Sequence, residues 1–291
     1  MRRIVLTFVL CCALCTATFA AEAKQALILA AFGTSEPAAT VALEDIGKAY
    51  TASGQPIIWA YSSNIIRNKL AGQGKTVHSV SEAMDTAAAQ GATELLIQSL
   101  HIVPAEEYIK IQRQIMQNLC TKPNRFTAVR LGHPLLESAQ DQQEVILALQ
   151  QGLPAQRKPS DAVIFMGHGN DRGPGDLILD SMARALHEKD ARMWLATVEG
   201  AHSFDKVLPQ LKAQKIKRVW LVPFMLVAGD HARNDMAGAE PDSWASQLKA
   251  AGMDVKPVLA GLGSNKAIQQ IFLRHSATAA DDLVSGKQTR E

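Results

Sequence analysis

His168, Glu199 and His231 have the side chains and the sequence settings to handle a divalent metal. Imidazole nitrogen and carboxylate oxygen together suit borderline first-row ions, and three protein ligands leave coordination positions open for exchange. Neutral histidine, ordinarily titrating near pH ~6.5, also accepts protons where lysine is already charged. The carboxylate partly offsets the charge of the dication, so the ion is held loosely enough to be handed on. All three residues follow apolar runs: Val163-Ile-Phe-Met-Gly-His168, Met193-Trp-Leu-Ala-Thr-Val-Glu199, and a longer run that begins at Arg218 and ends Ala228-Gly-Asp-His231. Val219 to Val227 reads as a strand buried on both faces, broken by Ala228-Gly229, with Asp230 placed to cap a following helix. His231 then stands at the carboxyl end of a strand, the edge of an open α/β sheet where ligands bind. The competing reading is three polar residues on loops that never meet; their common place at strand ends favours the metal site.

The elements that must position this trio alternate regularly. Strands are expected at Ala26 to Ala31, Ile57 to Tyr61, Glu94 to Leu100, Thr127 to Leu131, Ala162 to Met166, Met193 to Thr197, Arg218 to Val227 and Val255 to Ala260. Between them the apolar period switches to that of helices, at Pro37 to Ala52, Ser79 to Gln90, Glu106 to Leu119, Gln140 to Gln151, Asp176 to Lys189 and Phe204 to Gln214. Repeated βα units imply parallel sheets with right-handed crossovers. The halves also resemble each other: Leu27 to Ser35 aligns with Val163 to Asp171, Ile57 to Ser63 with Met193 to Glu199 at the same spacing, and Glu94 to Glu107 with the run ending at His231. The reading is an α/β protein of two similar lobes, each a parallel sheet flanked by helices, enclosing a cleft. The lobes span 24–150 and 161–291, with the turn-rich Gln151 to Ser160 between them. The first-lobe counterparts of the trio are Phe32, Ser63 and approximately Glu106, which is no metal set, so the chemistry belongs to the second lobe.

Met1-Arg-Arg, the apolar run Ile4 to Leu14 and the small residues up to Ala21 read as a secretory signal peptide over residues 1–20, too short in its apolar part to span a bilayer. The expected mature chain is periplasmic, with no membrane association after cleavage. N-terminal sequencing tests this: a terminus at or near Ala21 fits, and an intact Met1 in the membrane fraction contradicts it. Cys11, Cys12 and Cys15 leave with that peptide and only Cys120 remains, which excludes intramolecular disulfides and cysteine metal clusters. A net charge of +2 offers no polybasic footprint for nucleic acid. Gly167-His-Gly169 lacks the lysine and hydroxyl of a phosphate loop, so no nucleotide is expected.

Met166-Gly-His-Gly169, Val198-Glu199 and Pro223 to Met236, with its Ala-Gly-Asp-His-Ala core, resemble the class II chelatases, specifically the sirohydrochlorin cobaltochelatases of the anaerobic cobalamin route. Phe32-Gly-Thr-Ser35, Gln98-Ser-Leu-His-Ile102 and Gly261-Leu-Gly263 resemble further landmarks of that family. The resemblance implies ATP-independent insertion of Co²⁺ into sirohydrochlorin, with His168, Glu199 and His231 as metal ligands and His168 and His231 also receiving pyrrole protons. Fe²⁺ suits the same donors. An acidic macrocycle calls for cations, for which Arg67 and Lys69 follow a first-lobe strand end and Arg233 follows His231. His101 and His202 are further substrate-binding candidates. The alternative is a periplasmic carrier for a metal or a finished tetrapyrrole, and homo-oligomerisation stays open.

Overall fold

The computed structural model describes residues 23–51, 56–169 and 175–285; the expected signal peptide, with Cys11, Cys12 and Cys15, lies outside them. Strands β1 (Gln25–Ala31), β2 (Ile57–Tyr61), β3 (Glu94–Ser99) and β4 (Ala128–Gly132) form one parallel sheet in the order β2-β1-β3-β4. Strands β5 (Ala162–Gly167), β6 (Met193–Thr197), β7 (Arg218–Pro223) and β8 (Asp254–Pro257) form a second, ordered β6-β5-β7-β8. The central strands β1 and β5 are buried along almost their whole length, which is why both read as unbroken apolar runs. Helices α1 (Thr40–Thr51), α2 (Asn64–Gly72), α3 (Val80–Ala89), α4 (Glu106–Thr121) and α5 (Ala139–Gln151) belong to the first half of the chain. Helices α6 (Gly175–Lys189), α7 (Phe204–Ala213), α8 (Trp244–Ala250) and α9 (Lys266–Ala277) belong to the second. Ser79 with Glu82 and Ser138 with Asp141 form capping boxes that start α3 and α5, satisfying amides that the first helical turn leaves open. Among the described residues, no helix is long and apolar enough to cross a membrane.

The likeness of the halves extends to individual backbone hydrogen bonds. Ser62 N donates to Ala31 O (2.8 Å) and Ser63 N to Phe32 O (3.4 Å); in the second lobe Val198 N donates to Gly167 O (3.1 Å) and Glu199 N to His168 O (2.8 Å). Leu135 and Leu136 bond to the carbonyls of His101 and Ile102 as Leu262 and Gly263 do to those of Met225 and Leu226. Four-stranded sheets of the same order, closed by the same loop contacts, are what duplication predicts.

Strand β8 ends at Pro257, before the expected Ala260, and two larger expectations change. Strand β7 stops at Pro223, short of the expected Val227. Phe224 N still reaches Met166 O at 2.6 Å, after which the chain leaves the sheet, yet Phe224 and Leu226 stay buried. The apolar run therefore outlasts the strand because its last residues pack as a loop. The second change concerns α9, which the sequence places in the 161–291 lobe. The helix, which buries Ile268, Ile271 and Phe272, packs against β3 and β4 of the first sheet, and beyond its end Asp282 pairs with Arg130 in an isolated backbone bridge. Periodicity defines the apolar face of a helix and leaves open which sheet receives it. One buried core holds residues of both lobes, among them Leu27 and Leu29 of β1, Val163 and Phe165 of β5, Leu149 of α5 and Phe272 of α9.

A buried polar cluster pins α9 in place. Asp141 accepts hydrogen bonds from Ser138 N (2.9 Å), Ser138 Oγ (2.7 Å) and Arg274 Nη2 (2.9 Å), and its Oδ1 lies 2.9 Å from His275 Nε2. His275 Nδ1 lies 3.3 Å from His133 O. Burial by itself raises the Asp141 pKa; the bonds from Ser138, His275 and Arg274 outweigh that and hold the carboxyl below its ordinary range.

Candidate active site

The carboxyl edge of the second sheet presents the three residues read from sequence. His168 follows β5, Glu199 lies just beyond β6, and His231 stands at the start of a π-helical turn, Ala232–Met236, that follows the loop after β7. Glycine is required beside the first of them: Gly169 has φ +86°, and a Cβ there would run into the Glu199 carbonyl. The close approach it permits lets the His168 and Glu199 loops lie side by side. The imidazoles of His168 and His231 meet edge to face, their centroids 5.0 Å apart and their planes at 81°. Glu199 Oε2 lies 3.9 Å from His168 Nδ1, and the two side chains are 52% and 48% exposed. Among the described residues, no three His, Cys, Asp or Glu side chains stand close enough together to hold a metal ion as they are now oriented.

Asp230 does not cap as expected. It lies inside the helical turn, and its Oδ1 accepts from Asn234 Nδ2 at 2.9 Å. A π turn widens the helix by one residue and recurs at functional sites. Here Ala232 and Met236 are fully buried and anchor it in the second-lobe core, which leaves His231 on the rim.

The other candidates scatter. His101 follows β3 in the first lobe, its Nε2 3.1 Å from Ser62 Oγ and its Nδ1 3.0 Å from Ser99 Oγ. Burial pushes its pKa down to about 4, with Glu107 opposing and Lys110 assisting, so the ring stays neutral across the physiological range. His202 lies instead 3.2 Å from Asp180 Oδ1, in a groove that α6 and α7 line. Arg67 is already engaged within the first lobe, by Asn64 Oδ1 at 2.5 Å and Glu82 Oε2 at 3.4 Å. Lys69 is exposed on the same helix, α2. Arg233 is half-buried, and its Nε has no hydrogen-bond partner among the described residues.

Two acidic residues escape a sequence reading. Asp235 bonds His231, and its position four residues further on is a signal a helical reading offers once His231 is singled out. Glu107 lies as far beyond His101 as His231 lies beyond Met225, which makes it, one residue past the expected Glu106, the first-lobe counterpart of His231. Its Oε2 is buried without a hydrogen-bond partner among the described residues.

Solved structures share this architecture. SirB from Bacillus subtilis with Fe³⁺ superposes with a TM-score of 0.62 at 16% identity, covering 89% of this chain and 96% of that one. The sirohydrochlorin chelatase SirB from Bacillus subtilis subspecies spizizenii in complex with cobalt gives 0.59 at 13%, covering 88% and 95%. At those identities the likeness defines the fold, which is that of the two-lobe class II chelatases. Sequence carries the assignment further: the cobalt chelatase (CbiK) family profile matches residues 25–281. Sirohydrochlorin cobaltochelatase CbiKC from Nitratidesulfovibrio vulgaris is 36% identical over 89% of this chain and 92% of its own length, and sirohydrochlorin cobaltochelatase from Salmonella typhimurium is 35% identical over 87% and 95%. The chain belongs to the cobalt chelatase family.

Proposed function

We propose that this protein inserts Co²⁺ into sirohydrochlorin without ATP, releasing two protons for each metal inserted. The observation that carries the reading is the pairing of His168 and His231 on one sheet edge, their rings 5.0 Å apart with the Glu199 carboxylate beside them, in a chain of the cobalt chelatase family. Cobalt is a substrate here, so a seat that is not closed in advance serves the reaction better than a rigid structural site. Half-exposed His168 and Glu199 are free to turn toward an arriving ion, and the second sheet holds their backbones in place.

In the proposed reaction His168, Glu199 and His231 take Co²⁺ from solution, the macrocycle enters the cleft, and the metal moves to its pyrrole nitrogens. Two N–H bonds break as the metal–nitrogen bonds form, and the protons pass to the imidazoles and on to solvent. Phe32, at the first-lobe position that corresponds to His168, is 45% exposed and presents an apolar surface where the second lobe presents a base. That asymmetry fits one face for chemistry and one for the ring. Turnover separates this reading from a carrier, which would take up one equivalent per chain and stop.

A further inference from the structure

We propose that Asp235 is the positioning residue for His231, holding its imidazole with the hydrogen on Nδ1 so that Nε2 keeps a free lone pair. The inference rests on the role given to His231 above, but it concerns a residue that neither the strand-end pattern nor the metal trio includes. His231 Nδ1 lies 2.5 Å from Asp235 Oδ2. An ionised carboxylate can only accept, so the hydrogen of that bond belongs to Nδ1, and a neutral ring then presents Nε2 as an acceptor. A ligand nitrogen needs that lone pair, as does a base that removes a pyrrole proton, and a tautomer with hydrogen on Nε2 serves neither.

The turn holds the pair in register. His231 and Asp235 lie one turn apart and meet through their side chains, while the neighbouring Ala232 and Met236 are buried and fix the turn in the core. A second side-chain bond, Asn234 Nδ2 to Asp230 Oδ1 at 2.9 Å, spans the same turn. Arg233 N to Gly229 O (3.2 Å) and Gly238 N to Asn234 O (3.0 Å) fasten its two ends. His168 has a weaker arrangement among the described residues, its Nδ1 3.2 Å from the neighbouring Gly169 carbonyl and 3.9 Å from Glu199 Oε2. Among the described residues, His231 alone of the two imidazoles has a carboxylate within hydrogen-bond distance.

The test is nitrogen NMR of the full chain labelled at histidine, with the His231 signals assigned by their loss in His231→Gln. The wild type should show hydrogen on Nδ1 and a bare Nε2. Asp235→Asn offers an amide N–H to Nδ1 and should drive the hydrogen to Nε2, Asp235→Ala should leave a mixture, and Asp235→Glu should restore the wild-type pattern. Chelation kcat should fall roughly 10–100-fold in Asp235→Asn, the usual cost of losing a residue that orients a metal ligand. It should fall less in Asp235→Ala, and Asp235→Glu should recover most of the activity. A packing role predicts the reverse order, because asparagine preserves shape and alanine does not. Hydrogen on Nε2 in the wild type, or hydrogen kept on Nδ1 in both Asp235→Asn and Asp235→Ala, overturns the proposal. The NMR pattern does not depend on turnover, so it separates failure here from failure of the chelatase reading.

Discussion

His168→Ala and His231→Ala protein, purified and supplied with sirohydrochlorin and Co²⁺, should each form metallated product no faster than the uncatalysed reaction. Each substitution removes a proposed metal ligand and proton acceptor from an edge where the two rings face each other at 5.0 Å. The loss should be at least the roughly 10²–10⁴-fold that a positioned acid–base group contributes. Glu199→Gln should behave differently, because glutamine keeps an oxygen donor and loses only the charge that favours a dication. Its defect should lie mainly in the KM for cobalt, and excess Co²⁺ should recover part of the rate. The initial rate of optical change, measured across cobalt concentrations, distinguishes the two patterns. Wild-type rates in both alanine variants would remove histidine from the mechanism.

The largest effect on stability should come from Asp141→Asn, far from that edge. Asp141 is 3% exposed, and its Oδ1 faces both His275 Nε2 and Arg274 Nη2 at 2.9 Å. Asparagine removes the negative charge and leaves those donors facing a neutral amide inside the junction between α5 and α9. Breaking a fully buried pair costs about 3–5 kcal/mol, and the cost here should fall toward or below the lower end because Arg274 is 38% exposed, whereas losing the exposed Lys48–Asp45 pair should cost about 0.5 kcal/mol or less. The pH dependence has a definite sign. The folded-state pKa of Asp141 is lowered, so its contribution is present above the unfolded value of roughly 3.9 and is lost as pH falls through the folded value. Urea midpoints measured down to acidic pH should therefore show a decline in wild-type stability below about pH 4 that is shallower in Asp141→Asn. A midpoint for Asp141→Asn at neutral pH that matches wild type would show that the cluster does not secure α9.

Much of this organisation is legible in the sequence, for identifiable reasons. Buried parallel strands are apolar throughout, so β1 and β5 stand out, and the glycine turns that end them mark the edge where His168 appears. Duplication adds a ruler, since spacing shared with the first half locates Glu199 from Ser63. What stays hidden depends on contacts between segments distant in sequence. The apolar stretch after Pro223 looks like more strand because burial in a loop and burial in a sheet select the same residues. The periodicity of α9 leaves its destination open, and its docking on β3 and β4 rests in part on the meeting of Asp141 with His275, two residues unremarkable on their own. His202 follows Glu199 closely in the chain, yet its imidazole lies beside Asp180 on α6. Asp235 was within reach of the sequence, four residues after His231, but its partner is apparent only once the turn is seen to bring the two side chains together.

The central claim is catalytic insertion, and the most direct measurement counts product per chain. Purified protein at catalytic concentration, mixed anaerobically with excess sirohydrochlorin and Co²⁺ and followed by its absorption spectrum, should convert many equivalents of macrocycle per chain, with no nucleotide added. A spectral change that ends at one equivalent, or a rate equal to that without protein, would contradict the account.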